Sequence, residues 1–250
     1  MILIIDIGNT YLKASIYNKN QEIIFEDQIR TKETNNLFFK KFNEKAKVEQ
    51  CYIGSVAPSV NNKVEKQIIK ELKIKPKFLE VKDFVDVLDL KKFDLNEIGI
   101  DIVGFAYYLR KQQKKAIGIC YGTALFSVGV DNKKVLGAII VPYIERGIKS
   151  TVEKTELIKL NRVQYDPLYF EYGTNTHDAL LSGINHVYEG LTTNICSYFY
   201  KKYKFSKLCI TGGNQIKIHL NDDYKDKYDV YHVHNAVIKG YAEFIFDKQK

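Results

Sequence analysis

The stretch MILIIDIGNTYLK, residues 1–13, decides how the rest of the chain is read. Its first residues form an apolar run that meets Asp6, the pattern of a buried strand with a carboxylate near its end. Gly8 and Asn9 are turn residues, and 11–17 reads as a second strand folding back on the first. Gly8 has no side chain, so a phosphate can come close to the backbone there. Backbone N–H groups of the Ile7-Gly8-Asn9-Thr10 segment, with the Asn9 and Thr10 side chains, can donate to its oxygens. Asp6 suits a hydrated Mg²⁺, which takes one or two carboxylates together with phosphate and water. Lys13 can set a point charge against the β- or γ-phosphate. The same residues also suit a plain hairpin with a strand-end carboxylate, and taken alone the stretch does not choose.

Outward from this point, 22–29 alternates as a third strand and completes an antiparallel meander. A helical pattern surrounds Leu37, Phe38 and Phe42; a strand over 50–55 and a helix over 60–72 follow, with a short strand at 77–81. A helix over 101–114 begins beside Gly99-Ile100-Asp101. The plan then starts again: strands at 116–120, 124–131 and 135–141, with turns at Gly122-Thr123 and Asp131-Asn132. A helix over 176–202, a strand over 207–211 ending in Gly212-Gly213, a strand near Val230 and a helix over 235–246 close the chain. Two such units predict an α/β protein of two domains, residues 1–114 and 115–250, each built on a mixed sheet. Facing domains would bring the two equivalent turns to one cleft.

Composition removes several classes of function. The 250 residues are 45% apolar and carry a net charge of +8, nearly all from lysines scattered among acidic residues. Nucleic-acid sites gather Lys and Arg on one face, so this excess reads as a solvated surface and no nucleic-acid partner is expected. No run approaches the roughly 18 apolar residues of a membrane span. The N-terminus has no basic leader, which predicts a cytoplasmic protein without a membrane partner. Cys51, Cys120, Cys196 and Cys209 lack paired spacing, so neither zinc nor a redox pair is expected. His232 and His234 share a strand face without a third ligand at a recognisable spacing.

Two further elements matter in combination. Gly122-Thr123-Ala124 offers a turn glycine and a hydroxyl to a phosphate, and Thr211-Gly212-Gly213 offers bare backbone to an adenine or ribose. With the first turn, these in order resemble the two phosphate segments and the adenosine segment of the actin, hexokinase and Hsp70 superfamily. Within it, the chain is most similar to the type III pantothenate kinases. The likeness rests on the N-terminal DIGNT with its following lysine, GSVAPSV at 54–60, Gly99-Ile100-Asp101, Gly122-Thr123-Ala124, Gly137-Ala138, Thr174-Asn175-Thr176 and Thr211-Gly212-Gly213. It covers nearly the whole chain.

The resemblance implies two actin-like (ribonuclease H-like) domains around a nucleotide cleft. It implies transfer of the γ-phosphoryl of ATP to pantothenate in coenzyme A biosynthesis, with Mg²⁺ and a homodimeric assembly. Asp101 matches the family's general base; Gly99, Ile100 and Ile102 match positions beside the substrate; Thr176 matches a threonine contacting substrate across the dimer. Gly122, Thr123, Gly212 and Gly213 match ATP-binding positions. Asp101 also suits the N-cap of its helix. Among the positions that depart from the pattern, two bear most on the chemistry. Ile102 stands where the family has an arginine, a bidentate partner for the substrate carboxylate. Arg110 is too far along the helix to replace it, whereas Arg146 remains a candidate. Cys120 stands where an aspartate helps hold an activating K⁺ or NH₄⁺, and a neutral thiol is a poor ligand for a hard cation. Alongside the kinase, a non-catalytic nucleotide-binding or regulatory homologue and a kinase for another hydroxyl substrate therefore remain as readings.

Overall fold

The computed structural model describes residues 1–122, 124–142, 171–212 and 220–250. Its first sheet is laid out by β1 (Ile2–Ile7), β2 (Tyr11–Tyr17), β3 (Ile23–Arg30), β4 (Gln50–Ser55) and β5 (Lys77–Phe78), in the order β3-β2-β1-β4-β5. β1 is antiparallel to β2 and parallel to β4, so the sheet is mixed. As the middle strand it is covered on both faces, which is why its sequence is apolar on both faces apart from Asp6. β3 lies at the edge and alternates between exposed and half-buried residues.

Side chains of a strand alternate between faces. Leu3, Ile5 and Ile7 join Phe38, Phe39 and Phe42 of α1 (Asn36–Lys45) and Val64, Ile68 and Leu72 of α2 (Pro58–Leu72) in one core. The opposite face, carrying Ile4 and Asp6, belongs to α3 (Ile100–Gln112) and the C-terminal helix Ala236–Lys248, which contact β4 and β1 respectively. Those two helices approach closely: a Cβ added at Gly240 would lie 1.9 Å from the Gly104 carbonyl oxygen. Phe84 stacks on Phe244 with centroids 3.9 Å apart, and Tyr107 meets the edge of both rings. Further along, Asp247 accepts hydrogen bonds from the Tyr107 hydroxyl at 2.7 Å and Lys111 Nζ at 2.8 Å.

The second sheet contains β6 (Lys115–Tyr121), β7 (Ala124–Asp131), β8 (Lys134–Pro142), β9 (Lys207–Gly212) and β10 (Asp229–His232), in the order β10-β9-β6-β7-β8. Numbered within each half, both sheets read 3-2-1-4-5, so the repeated plan expected from the sequence is a repeated topology. β6 and β9 run parallel, as do β9 and β10. Two helices accompany this half, α4 (Thr176–Tyr203) and the short α5 (Asp222–Lys225), which makes the C-terminal helix α6. The α/β fold expected from the sequence, with one five-stranded sheet in each half, is thus what the chain forms.

By its contacts the chain divides into Met1–Lys114 with Val130–Gly137 and His234–Lys250, and Lys115–Gly129 with Ala138–Val233. The C-terminal segment joins the first unit because α6 packs on α3. The strand expected over 77–81 stops at Phe78, because Glu80 and Asp83 form a reciprocal capping box that makes Val81–Phe84 a 3₁₀ turn. Among the described residues, no helix is long and apolar enough to cross a membrane.

Candidate active site

Asp6 lies in register with Lys13 on β2 and with Gly54 on β4. Directly opposed residues of neighbouring strands share a face, so the Lys13 charge lies on the same face as Asp6 and favours its ionised form. The turn between them is closed by Gly8 N–H donating to the Tyr11 carbonyl at 3.0 Å. That donor is therefore engaged within the turn. Thr31, at the end of β3, fixes the turn from the side: its hydroxyl donates to the Gly8 carbonyl at 2.7 Å and its N–H to the Thr10 carbonyl at 2.9 Å. Thr31 is buried, and nothing in its sequence surroundings marks it. Ile7 is fully buried and its carbonyl accepts from Val56 N–H, tying the 54–60 loop to the turn, while Asn9 is exposed at its tip.

Asp101 is not the N-cap of α3; Gly99 is, and Asp101 is the second helical residue. Its Oδ1 accepts from Ile102 N–H at 2.9 Å. Gly99 makes room for that carboxylate, since a Cβ there would lie 2.3 Å from Asp101 Oδ1 and 3.6 Å from Val56 Cγ1. Burial raises the Asp101 pKa above the ordinary carboxylate range, and the N–H groups of Ile102 and Asp101 partly counter it. Asp6 is pushed up to about 7, first by burial and then by repulsion from Asp101, with Lys13 opposing. The two carboxylates, 95 residues apart in sequence, therefore act on each other across one half-buried site. Ile100 and Ile102 are buried beside them, Ile102 at 5% exposure. An isoleucine there joins the core of the first unit.

The second unit builds a related turn. Gly122 N–H donates to the Ala124 carbonyl at 3.2 Å. Cys120 and Tyr121 of β6 are in register with Thr211 and Gly212 of β9, which brings the two glycine-bearing segments side by side. Gly212 has φ +140°, and a Cβ there would lie 2.2 Å from the Tyr121 carbonyl oxygen. Only glycine fits. Cys120 is a buried thiol. Thr176 opens α4 on the surface, behind Asn175, whose side chain caps the helix by accepting from Asp178 N–H. Thr123, Gly213 and Arg146 lie outside the described residues.

The profile of the type III pantothenate kinase family matches residues 2–198. Type III pantothenate kinase from Malacoplasma penetrans is 31% identical over 98% of this chain and 96% of its own length. The enzyme of that name from Mycoplasma mobile is 31% identical over 98% of both. Among solved structures, the activator of 2-hydroxyisocaproyl-CoA dehydratase from Clostridium difficile, with bound ADPNP, superposes with a TM-score of 0.55 at 11% identity. That match spans 99% of this chain and 94% of the other, and it speaks for the fold.

The raised Asp6 pKa has a definite consequence for stability. In the unfolded chain this carboxyl ionises near pH 4, whereas in the fold it holds its proton to about 7. Its contribution is thus full below pH 4 and is lost as pH rises through 7. Glu243, also pushed up to about 7 chiefly by burial, acts in the same direction, so wild type must be compared with a variant that keeps it. Asp6→Asn is expected to raise stability at pH 7.5 by about 1 kcal/mol or more, and much less at pH 5. Urea denaturation at the two pH values checks this; equal effects at both would contradict it.

Proposed function

The chain belongs to the type III pantothenate kinase family, and from that premise we propose which of its residues carry the ATP-dependent phosphorylation of pantothenate. The supporting observation is the electrostatic coupling of Asp6 and Asp101 within one unit, beside Lys13.

Asp101 is the general base. The pantothenate hydroxyl donates its proton to the carboxylate as its oxygen bonds to the γ-phosphorus, while the bond from that phosphorus to the β–γ bridging oxygen breaks and ADP leaves. Phosphoryl transfer asks little covalent chemistry of the protein, so placement of this carboxylate is its principal contribution. Desolvation, the largest influence on Asp101, makes it a stronger base than an exposed carboxylate. Gly99, by leaving room for Oδ1, keeps the side chain in place.

Asp6 fits a hydrated Mg²⁺: it is a half-buried carboxylate that feels a second one, Asp101, with Lys13 opposing. When bound, the ion would neutralise charge on the phosphates and relieve the repulsion between Asp6 and Asp101. Asn9 and Thr10 are assigned to the phosphates by their place in the turn, and Lys13 by its charge. In the second unit, Gly122 and Gly212 are assigned to the nucleotide by their place in the family pattern. We extend Thr123 and Gly213 to the same role by their place in the family pattern. Thr176, exposed at the start of α4, is assigned to substrate across a homodimer, and the protein to the cytoplasm. With Ile102 buried, the substrate carboxylate needs another cation, and Arg146 is the residue we assign.

The position assigned to a monovalent cation does not fit one. Cys120 is a buried thiol in place of a carboxylate, and K⁺ or NH₄⁺ prefers charged or carbonyl oxygen.

Two outcomes follow. In a coupled ADP-release assay with pantothenate, Asp101→Asn lowers kcat by about 10²- to 10⁴-fold, and an unaffected kcat would remove Asp101 from the mechanism. In the same assay, exchanging K⁺ for Na⁺ changes the wild-type rate by less than about twofold, as expected for a site lacking its carboxylate; strong K⁺ activation would refute the assignment at Cys120.

A further inference from the structure

We propose that Tyr241, on α6 and away from the reacting groups, is a positioning residue whose ring sets the separation of Asp101 from Asp6. The inference rests on the kinase reading above, and it concerns a residue that no motif of the chain singles out.

Tyr241 is fully buried and its ring fills the space left by two glycines on different elements. A Cβ at Gly54 would lie 2.4 Å from ring atoms Cε2 and Cζ. A Cβ at Gly104 would lie 2.3 Å from Cε1 and 2.7 Å from Cδ1. One edge of the ring thus rests on the β4 backbone and the other on the α3 backbone. Both contact points adjoin the site. Gly54 is the register partner of Asp6, and Gly104 is three residues beyond Asp101, one turn along the same helix. The ring therefore stands between the strand pair that carries one carboxylate and the helix that carries the other. Gly240, beside Tyr241, packs against the Gly104 carbonyl and prevents α6 from shifting independently of α3.

Glycine is disfavoured inside strands and helices because of its backbone freedom. Here one stands in β4 and one in mid-α3, both directed at the same ring. With a glycine on each side, the ring is what fills the gap between the β4 and α3 backbones at this level, so its width sets how near the helix comes to the strand. An aromatic ring is incompressible and has few rotamers, which suits a spacer better than an aliphatic side chain.

The test compares steady-state kinetics, melting temperature and amide hydrogen exchange of wild type, Tyr241→Phe, Tyr241→Leu, Gly104→Ala and the double variant Tyr241→Leu/Gly104→Ala. Displacement of a catalytic group by about 1 Å costs up to 10²-fold, so Tyr241→Leu is expected to lower kcat about tenfold to hundredfold. KM values for ATP and pantothenate should stay within about threefold, because the binding residues are untouched. Tyr241→Phe keeps the ring and is expected to retain kcat within about threefold. Gly104→Ala alone pushes on the ring and lowers kcat, whereas the same change in the Tyr241→Leu background refills the space and raises it. This reversal of sign is not expected of a purely structural residue. Should Tyr241→Leu fail to fold, Gly104→Ala against Tyr241→Phe decides the point by the same kcat-against-KM split. A lowered melting temperature with kcat per folded molecule unchanged overturns the proposal. Hydrogen exchange separates this failure from failure of the kinase reading. The Ile102 and Val103 amides, both donating to the Gly99 carbonyl, should exchange faster in the variants while those of Ile4 and Ile5 do not. Unchanged exchange at Ile102 and Val103 overturns the spacer role whatever the substrate, while absence of wild-type turnover counts against the substrate alone.

Discussion

Two like charges held close in a partly dry site are the constraint on which the first unit is organised. Asp101 adds to the cost that burial already sets on ionising Asp6, and nothing about their proximity helps the chain to fold. The surrounding structure imposes it. β1 is pinned between β2 and β4 and covered on both faces, so Asp6 cannot withdraw. α3 is held by α6 through a backbone contact at Gly104 and Gly240 and through the aromatic group of Phe84, Tyr107 and Phe244. Opposite Asp6, Lys13 offsets part of the repulsion. The remainder is repulsion that the proposed cation and polyphosphate would relieve.

The local features of this site were legible in the sequence because they depend on single residues. A strand ending in Asp6, a turn at Gly8-Asn9 and a returning strand with Lys13 follow from an apolar run and turn chemistry, and the structure has them in register. The duplication was legible too, since the second half repeats the order of strand signals; both sheets share one strand order. Asp101 was singled out from the sequence alone, and its capping alternative falls away because Gly99 occupies the N-cap.

What escaped sequence reading depends on contacts distant along the chain. That α6 closes the first unit follows from small residues at 104 and 240 meeting across more than a hundred positions, and no local pattern records which helix a glycine faces. Thr31 reads as an ordinary strand-end hydroxyl until it is seen holding the Gly8 and Thr10 carbonyls. Ile102 reads as a lost arginine from motif comparison, but its burial shows that this chain uses the position for packing. The departures at Ile102 and Cys120 are single-residue changes against a family match that spans residues 2–198.

The central claim is that Asp6 and Asp101 form one electrostatic unit that the nucleotide with its cation discharges. Calorimetric titration of MgATP into the protein at pH 7, in buffers of different ionisation enthalpy, tests it most directly. Asp6, with its pKa near 7, should release a fraction of a proton on binding, so the observed heat should depend on the buffer, and that dependence should vanish in Asp6→Asn. Heats of binding identical in every buffer would contradict the account.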